Sequence, residues 1–183
     1  MLEVNFNPFP VLETERLLMR ELTDADAEQL FKLRTDLVAL QFIGKAPMAN
    51  IEEARAMITA IRNNLQDNNG ITWAIALQTD PAALIGTIGY WRLIKEHFRA
   101  EIGYMLMPQY FNKGYMTEAI NKANEFAFTQ TAIHSIEANI DPANKASQAI
   151  LIKTGFVQEA YFKENFYSNG VFTDSAIFSL VKK

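Results

Sequence analysis

Apolar and polar positions follow two periods along this chain, and the changes of period mark its elements. Residues 101–107 are apolar or aromatic after the first, which reads as a buried strand, and Pro108 ends the ladder because it has no N–H to donate. From Gly114 the period turns helical, with Met116, Ala119, Ile120, Ala123 and Ala127 on one face. Upstream, residues 12–22 read as a first strand. Thr23, three residues before Asp26, is a capping-box variant that starts a helix near Asp24, its apolar face formed by Ala27, Leu30 and Phe31. After breaks at Gly44 and Pro47, Ile51, Ala54, Ile58, Ile61 and Leu65 mark a second amphipathic helix that stops before Asn68-Asn69-Gly70.

Ile71–Leu77 and residues 84–93 are rich in β-branched and aromatic side chains and flank a turn signal, so they predict a hairpin, and residues 94–97 turn the chain into the 101–107 strand. Beyond the Gly114 helix, Ser135–Ile140 reads as a short strand. A helix then begins near Lys145, capped by Asn144 and stopped by Gly155, before strands at 156–166 and Val171–Val181 meet at an Asn169-Gly170 turn. The order β-α-α-β-β-β-α-β-α-β-β predicts an α/β fold of the α+β kind: one mixed, mostly antiparallel central sheet with helices on both faces. The 101–107 and 135–140 strands are expected to be adjacent, central and parallel.

At 183 residues the chain fits a single domain, 1–183, with 49% hydrophobic and 21% charged residues and no low-complexity tract. Cysteine is absent, which excludes disulfides, thiolate metal sites and a cysteine nucleophile and fits a cytoplasmic setting. A net charge of −4 argues against nucleic acid as the main partner, and no stretch reads as a signal peptide or a membrane span. His97 and His134 have no metal-ligand spacing to a carboxylate or to each other, so no metal is expected.

Between strand and helix, Asn112-Lys113-Gly114 can wrap successive backbone N–H groups around an anion, with the positive end of a helix behind them. On spacing alone this reads first as a plain strand-to-helix connection. The run Glu101-Ile-Gly-Tyr104, then Pro108, then Asn112-Lys-Gly-Tyr-Met-Thr-Glu-Ala119 resembles the acetyl-CoA loop of the GNAT acetyltransferases, in particular the ribosomal-protein N-terminal acetyltransferase-like branch. Against the superfamily pattern Gln/Arg-x-x-Gly-x-Gly/Ala, Gly114 matches, whereas Phe111 and Met116 depart at the first and last positions and Met116 leaves a bulkier residue beside the pyrophosphate. Pro142, Asn144, Ser147, Gly155 and Phe156 resemble the family's second motif, and Thr14-Glu-Arg-Leu17 with Arg20 and Asp26 resembles its opening. The resemblance implies a V-shaped splay between the two central parallel strands. It further implies acetyl-CoA as co-substrate, held by Met105, Leu106, Met107, Asn112, Lys113, Gly114, Tyr115, Met116 and Thr117, with Asn144 and Ser147 at the pantetheine and thioester.

Acetyl transfer to an amine needs a neutral amine, donors for the oxyanion and a proton for the leaving thiolate. The resemblance implies direct attack without a covalent intermediate, with main-chain N–H groups near a bulge around residues 105–107 as oxyanion donors. Glu101 is the candidate base, or else a strand carboxylate. Ser147 is the candidate donor to the thiolate, or else a helix residue satisfied by its cap; Tyr104, Tyr161 and Tyr167 are rival acids. Asp174 stands where the family carries an acid, or is a sheet-edge charge. The expected function is acetyl-CoA-dependent N-acetylation of a primary amine on a protein N-terminus or a small molecule, by a monomer or homodimer. The alternative is a non-catalytic acyl-CoA-binding or sensing module.

Overall fold

The computed structural model describes residues 1–168 and 170–183. Residues 12–22 form two strands rather than one: β1, Leu12–Glu13, turns back through Thr14 into β2, Leu17–Glu21, and pairs Leu12 with Met19. The cause is local, since Thr14 Oγ1 accepts from Leu17 N at 2.9 Å and pins the turn. Asp24–Asp26 is a single 3₁₀ turn, after which α1, Ala27–Leu33, buries Ala27, Leu30 and Leu33 and leaves Phe31 only partly covered. A one-turn helix, α2, Leu37–Leu40, was not legible in the sequence. It is too short to show a period and is held by Asp36 Oδ1 accepting from Val38 N and Ala39 N at 2.9 Å.

The remaining elements follow the predicted order: α3 Ile51–Gln66, β3 Ile71–Leu77, β4 Gly86–Ile94, β5 Arg99–Leu106, α4 Tyr115–Gln130, β6 Ser135–Ile140, α5 Lys145–Lys153, β7 Val157–Ser168 and β8 Val171–Val181. The predicted Asn169-Gly170 turn falls in part on Asn169, which lies outside the described residues. Eight strands make one sheet in the order β1-β2-β3-β4-β5-β6-β8-β7, antiparallel throughout except for the adjacent parallel pair β5–β6. Helices cover both faces. On β3, Ile71, Trp73 and Ile75 join one core with Ala119, Ile120 and Ala123 of α4, while the intervening Ala74 joins a second core with α1 and α3. Among the described residues, no helix is long and apolar enough to cross a membrane.

The functional region follows from how β5 and β6 part. They pair over Arg99/Ser135, Ala100/Ile136 and Glu101/Glu137 only; beyond that, β5 stays with β4 to Leu106 and β6 stays with β8 to Ile140. The main chain of β5 past Glu101 therefore has no strand on its β6 side. This is the predicted V-shaped splay, and it opens toward the end of β5 that leads into α4. The expected bulge around residues 105–107 is absent: Met105 and Leu106 pair regularly with Thr87 and Gly86, and Met107 N donates to Ile85 O at 2.9 Å. The register shift lies at the other end, where Trp91 of β4 is the extra residue opposite Glu101 and Ile102.

Candidate active site

Gly114 opens α4 with φ +80°, a left-handed conformation that costs glycine nothing, and Asn112 is left-handed too, at +59°. As N-cap, Gly114 supplies no side-chain oxygen, so the first-turn N–H groups of a 16-residue helix have no cap and face the splay. Arg16 fastens this corner: its Nη1 donates to Lys113 O at 3.0 Å, its guanidinium lies 4.6 Å from the Tyr115 ring centre, and it pairs with Glu118 at 2.6 Å. Burial opposes ionisation of Glu118, but hydrogen bonds from Thr14 and Arg16 outweigh it and hold the carboxyl below its ordinary value.

A cleft of about 560 Å³ runs from this corner along the splay. Of the sequence-predicted cofactor residues it is lined by Met105, Leu106, Asn112, Gly114, Tyr115, Met116, Thr117, Asn144 and Ser147. Met107 and Lys113 are not brought to it. Met107 is buried in the second core with its N–H already used, and Lys113 points over the Tyr110 ring, Nζ 5.5 Å from its centre. The departure at Met116 is absorbed, because the side chain is 5% exposed and packs into the α4 core. Phe111 lines the cleft, as do Phe42 and Lys153, which carried no sequence signal for a ligand.

Asn144 both caps α5 and lines the cleft, its Oδ1 accepting from Ser147 N at 3.0 Å. Ser147 is buried, and its Oγ lies 2.7 Å from the hydroxyl of Tyr104 on β5. Of the three rival tyrosines, Tyr104 is the one that lines the cleft. Burial, slightly offset by the hydrogen bond from Ser147, pushes its pKa up to about 12. Tyr161 and Tyr167 are exposed on β7 away from the cleft, with Tyr161 donating to Asp174. Asp174 also accepts from Glu164 N at 2.8 Å and so pins an irregularity of the β7–β8 pair.

Glu101 is not a wall of the cleft. Three residues before Tyr104 on β5, it points to the opposite face, in line with Gly103 and Met105. Its side chain is 12% exposed and 3.7 Å from Arg92. Burial raises its pKa, as does Glu137 beside it in register, against the pull of Arg92 and Arg99. Trp91 lies over Gly103, where an added Cβ would meet its ring at 3.2 Å. Glu101 and the Tyr104–Ser147 pair thus flank the parted strand from its two sides.

A left-handed glycine loop beneath an uncapped helix, at the open end of a splayed parallel pair, sets free main-chain N–H groups at the head of the cleft. The profile of the acetyltransferase (GNAT) domain matches residues 16–157, and the chain belongs to that family. It is 37% identical to the uncharacterized N-acetyltransferase YoaA of Bacillus subtilis (strain 168) over 95% of this chain and 98% of that one, and with the family match this makes it an N-acetyltransferase. Its fold is shared with RimL, a ribosomal L7/L12 alpha-N-protein acetyltransferase in complex with coenzyme A, at TM-score 0.84 and 17% identity over 94% of this chain and 98% of that one. A Vibrio cholerae spermidine N-acetyltransferase in complex with CoA and spermine overlays at TM-score 0.81 and 21% identity, covering 92% of this chain and 97% of that one.

Proposed function

We propose that the chain transfers the acetyl group of acetyl-CoA to a primary amine by direct attack. The residues fit the co-substrate: Asn112 to Thr117 carry unpartnered main-chain N–H groups that would hold the pyrophosphate, and the unpaired edge of β5 would hydrogen-bond the pantetheine. Lys153 and Phe111 flank its path.

Glu101 takes the proton of the acceptor amine, directly or through a water, and its raised pKa brings it nearer the operating range of a general base. The amine nitrogen forms a bond to the acetyl carbon, the oxyanion is held by β5 main-chain N–H groups, and the carbon–sulfur bond breaks. Tyr104, backed by Ser147, donates its proton to the departing sulfur. The single observation that carries this reading is the part-buried Tyr104–Ser147 pair lining the cleft, with no other partner for either hydroxyl among the described residues.

A thiol-release assay with acetyl-CoA and a panel of amines tests it. Amine-dependent release of coenzyme A, lost in Tyr104→Phe, is expected. Tight acetyl-CoA binding with no release for any amine would instead leave a non-catalytic acyl-CoA-binding module.

A further inference from the structure

Among the described residues, each of Arg16, Arg20, Arg55, Arg62, Arg92 and Arg99 forms an ion pair with a carboxylate. Arg34 forms none. It follows α1 as its C-cap, its carbonyl tied to Met48 N at 3.1 Å, and its side chain is half-buried. Its guanidinium has one polar contact, Nη1 to the thioether sulfur of Met105 at 2.9 Å, and sulfur is a weak acceptor. Met105 lines the cleft, as do Val38, Ala39, Gln41, Phe42 and Ile43, the segment that begins four residues after Arg34.

A half-buried guanidinium without a counter-charge is unfavourable, and its partial burial accordingly lowers its affinity for its proton. Such a group persists where a ligand supplies the missing charge. Its placement says which ligand. Arg34 contacts Met105 on the face of β5 that also carries Glu101, with Gly103 between them beneath the ring of Trp91. Glu101 and Met105 are four residues apart, about 13 Å along a strand. This face therefore presents a carboxylate at one end, a cation at the other and the Trp91 ring, seated on Gly103, between them.

We infer that the acceptor carries, besides its primary amine, an anionic group that Arg34 binds. The amine lies toward Glu101 and the anion toward the guanidinium, which makes Arg34 a specificity-determining residue selecting carboxylate- or phosphate-bearing amines over polyamines. The identification of the anchored molecule as an acceptor rests on the acetyl-transfer reading; the anion site does not.

The test is calorimetric titration of the CoA-loaded protein with pentylamine, aminohexanoate, aminopentyl phosphate and spermidine, with thiol release from acetyl-CoA followed separately. One or both anionic amines are expected to bind about tenfold or more tightly than pentylamine, with spermidine weakest. The stronger of the two names the anion. Arg34→Gln, which keeps most of the packed stem, should abolish the preference while the melting temperature stays within about 2 °C, as for a substitution outside the core. Arg34→Lys should retain more of a phosphate preference than of a carboxylate one, because it keeps the charge and loses the planar fork. Equal binding of pentylamine and both anions, no binding of any of the four, or a preference that survives Arg34→Gln would overturn the inference. Anion-selective binding without turnover would remove acetyl transfer and keep the anion site; turnover of neutral and anionic amines alike would do the reverse.

Discussion

Tyr104 and Ser147, 43 residues apart in sequence, meet hydroxyl to hydroxyl at 2.7 Å across the gap where β5 and β6 part. Either oxygen can donate to the other, but only one proton is needed at the sulfur, and the phenol is the stronger acid of the two. Tyr104→Phe should therefore lower kcat by on the order of 10²-fold, in the range of a lost general acid, with acetyl-CoA affinity little changed. Ser147→Ala should cost less. It also removes the hydrogen bond that lowers the Tyr104 pKa, so that pKa should climb further above its value of about 12 and the proton be released less readily. Steady-state rates decide: Tyr104→Phe within about twofold of wild type, worth roughly 0.4 kcal/mol, would move the donor role to Ser147 or to water.

The anion cradle predicts a different kind of defect. At φ +80° any side chain at position 114 is strained, and a Cβ would also meet Arg16 Nη2 at 3.4 Å. Gly114→Val should weaken acetyl-CoA binding by about 100-fold or more, while Lys113→Ala, which removes an exposed side chain aimed at Tyr110, should weaken it by less than about fivefold. Calorimetry showing the two variants equal would remove the loop from the account.

Stability at the junction of β2 and α1 depends on Arg20 and Asp26, a bidentate pair at 2.7 and 2.9 Å in which Asp26 is 1% exposed. Arg20 also donates to Pro81 O and Ala82 O, tying β2 to the β3–β4 turn. Asp26→Asn leaves a largely buried guanidinium without its counter-charge and should cost about 3 kcal/mol. For a chain of this length that lowers Tm by about 6–12 °C, which a thermal melt resolves.

Much of this was legible because it is local. Ile71 to Leu77 and Ser135 to Ile140 have the composition of strands, Met116 to Ala127 the period of a helix, and Asn144 the spacing of a cap, so elements, sheet class and loop fell within a few residues of their observed places. The features that were not legible depend on residues far apart in sequence. The bulge at Trp91 arises from the match between β4 and β5, two strands whose pattern does not show which residue is extra. The placement of Tyr104 in the cleft and of Tyr161 and Tyr167 on an exposed edge depends on a register that the sequence pattern does not show. Arg34 carries no motif, since a cation without a partner is visible only when every carboxylate has been placed.

Glu101 combines a kinetic and a stability prediction that check one another. If it removes the amine proton, Glu101→Gln should lower kcat by on the order of 10²-fold, and the loss should shrink as pH rises, because more of the acceptor then arrives neutral. The same carboxyl is held above its ordinary pKa by burial first and Glu137 second, against Arg92 and Arg99. A raised folded-state value means that the native protein holds this proton more tightly than the unfolded chain does. The resulting stability is fully present below about pH 4.3, the ordinary glutamate value, and is lost as pH rises through the folded-state pKa. At neutral pH the wild-type protein therefore carries a desolvated carboxylate that Gln lacks, so Glu101→Gln should melt higher than wild type at pH 7.5, with the gap closing by about pH 4. A slower yet more stable variant is the signature of a charge kept for chemistry. A variant that melts lower at pH 7.5 and keeps wild-type rates would mark Glu101 as an ion-pair partner of Arg92, and the base would then have to be water.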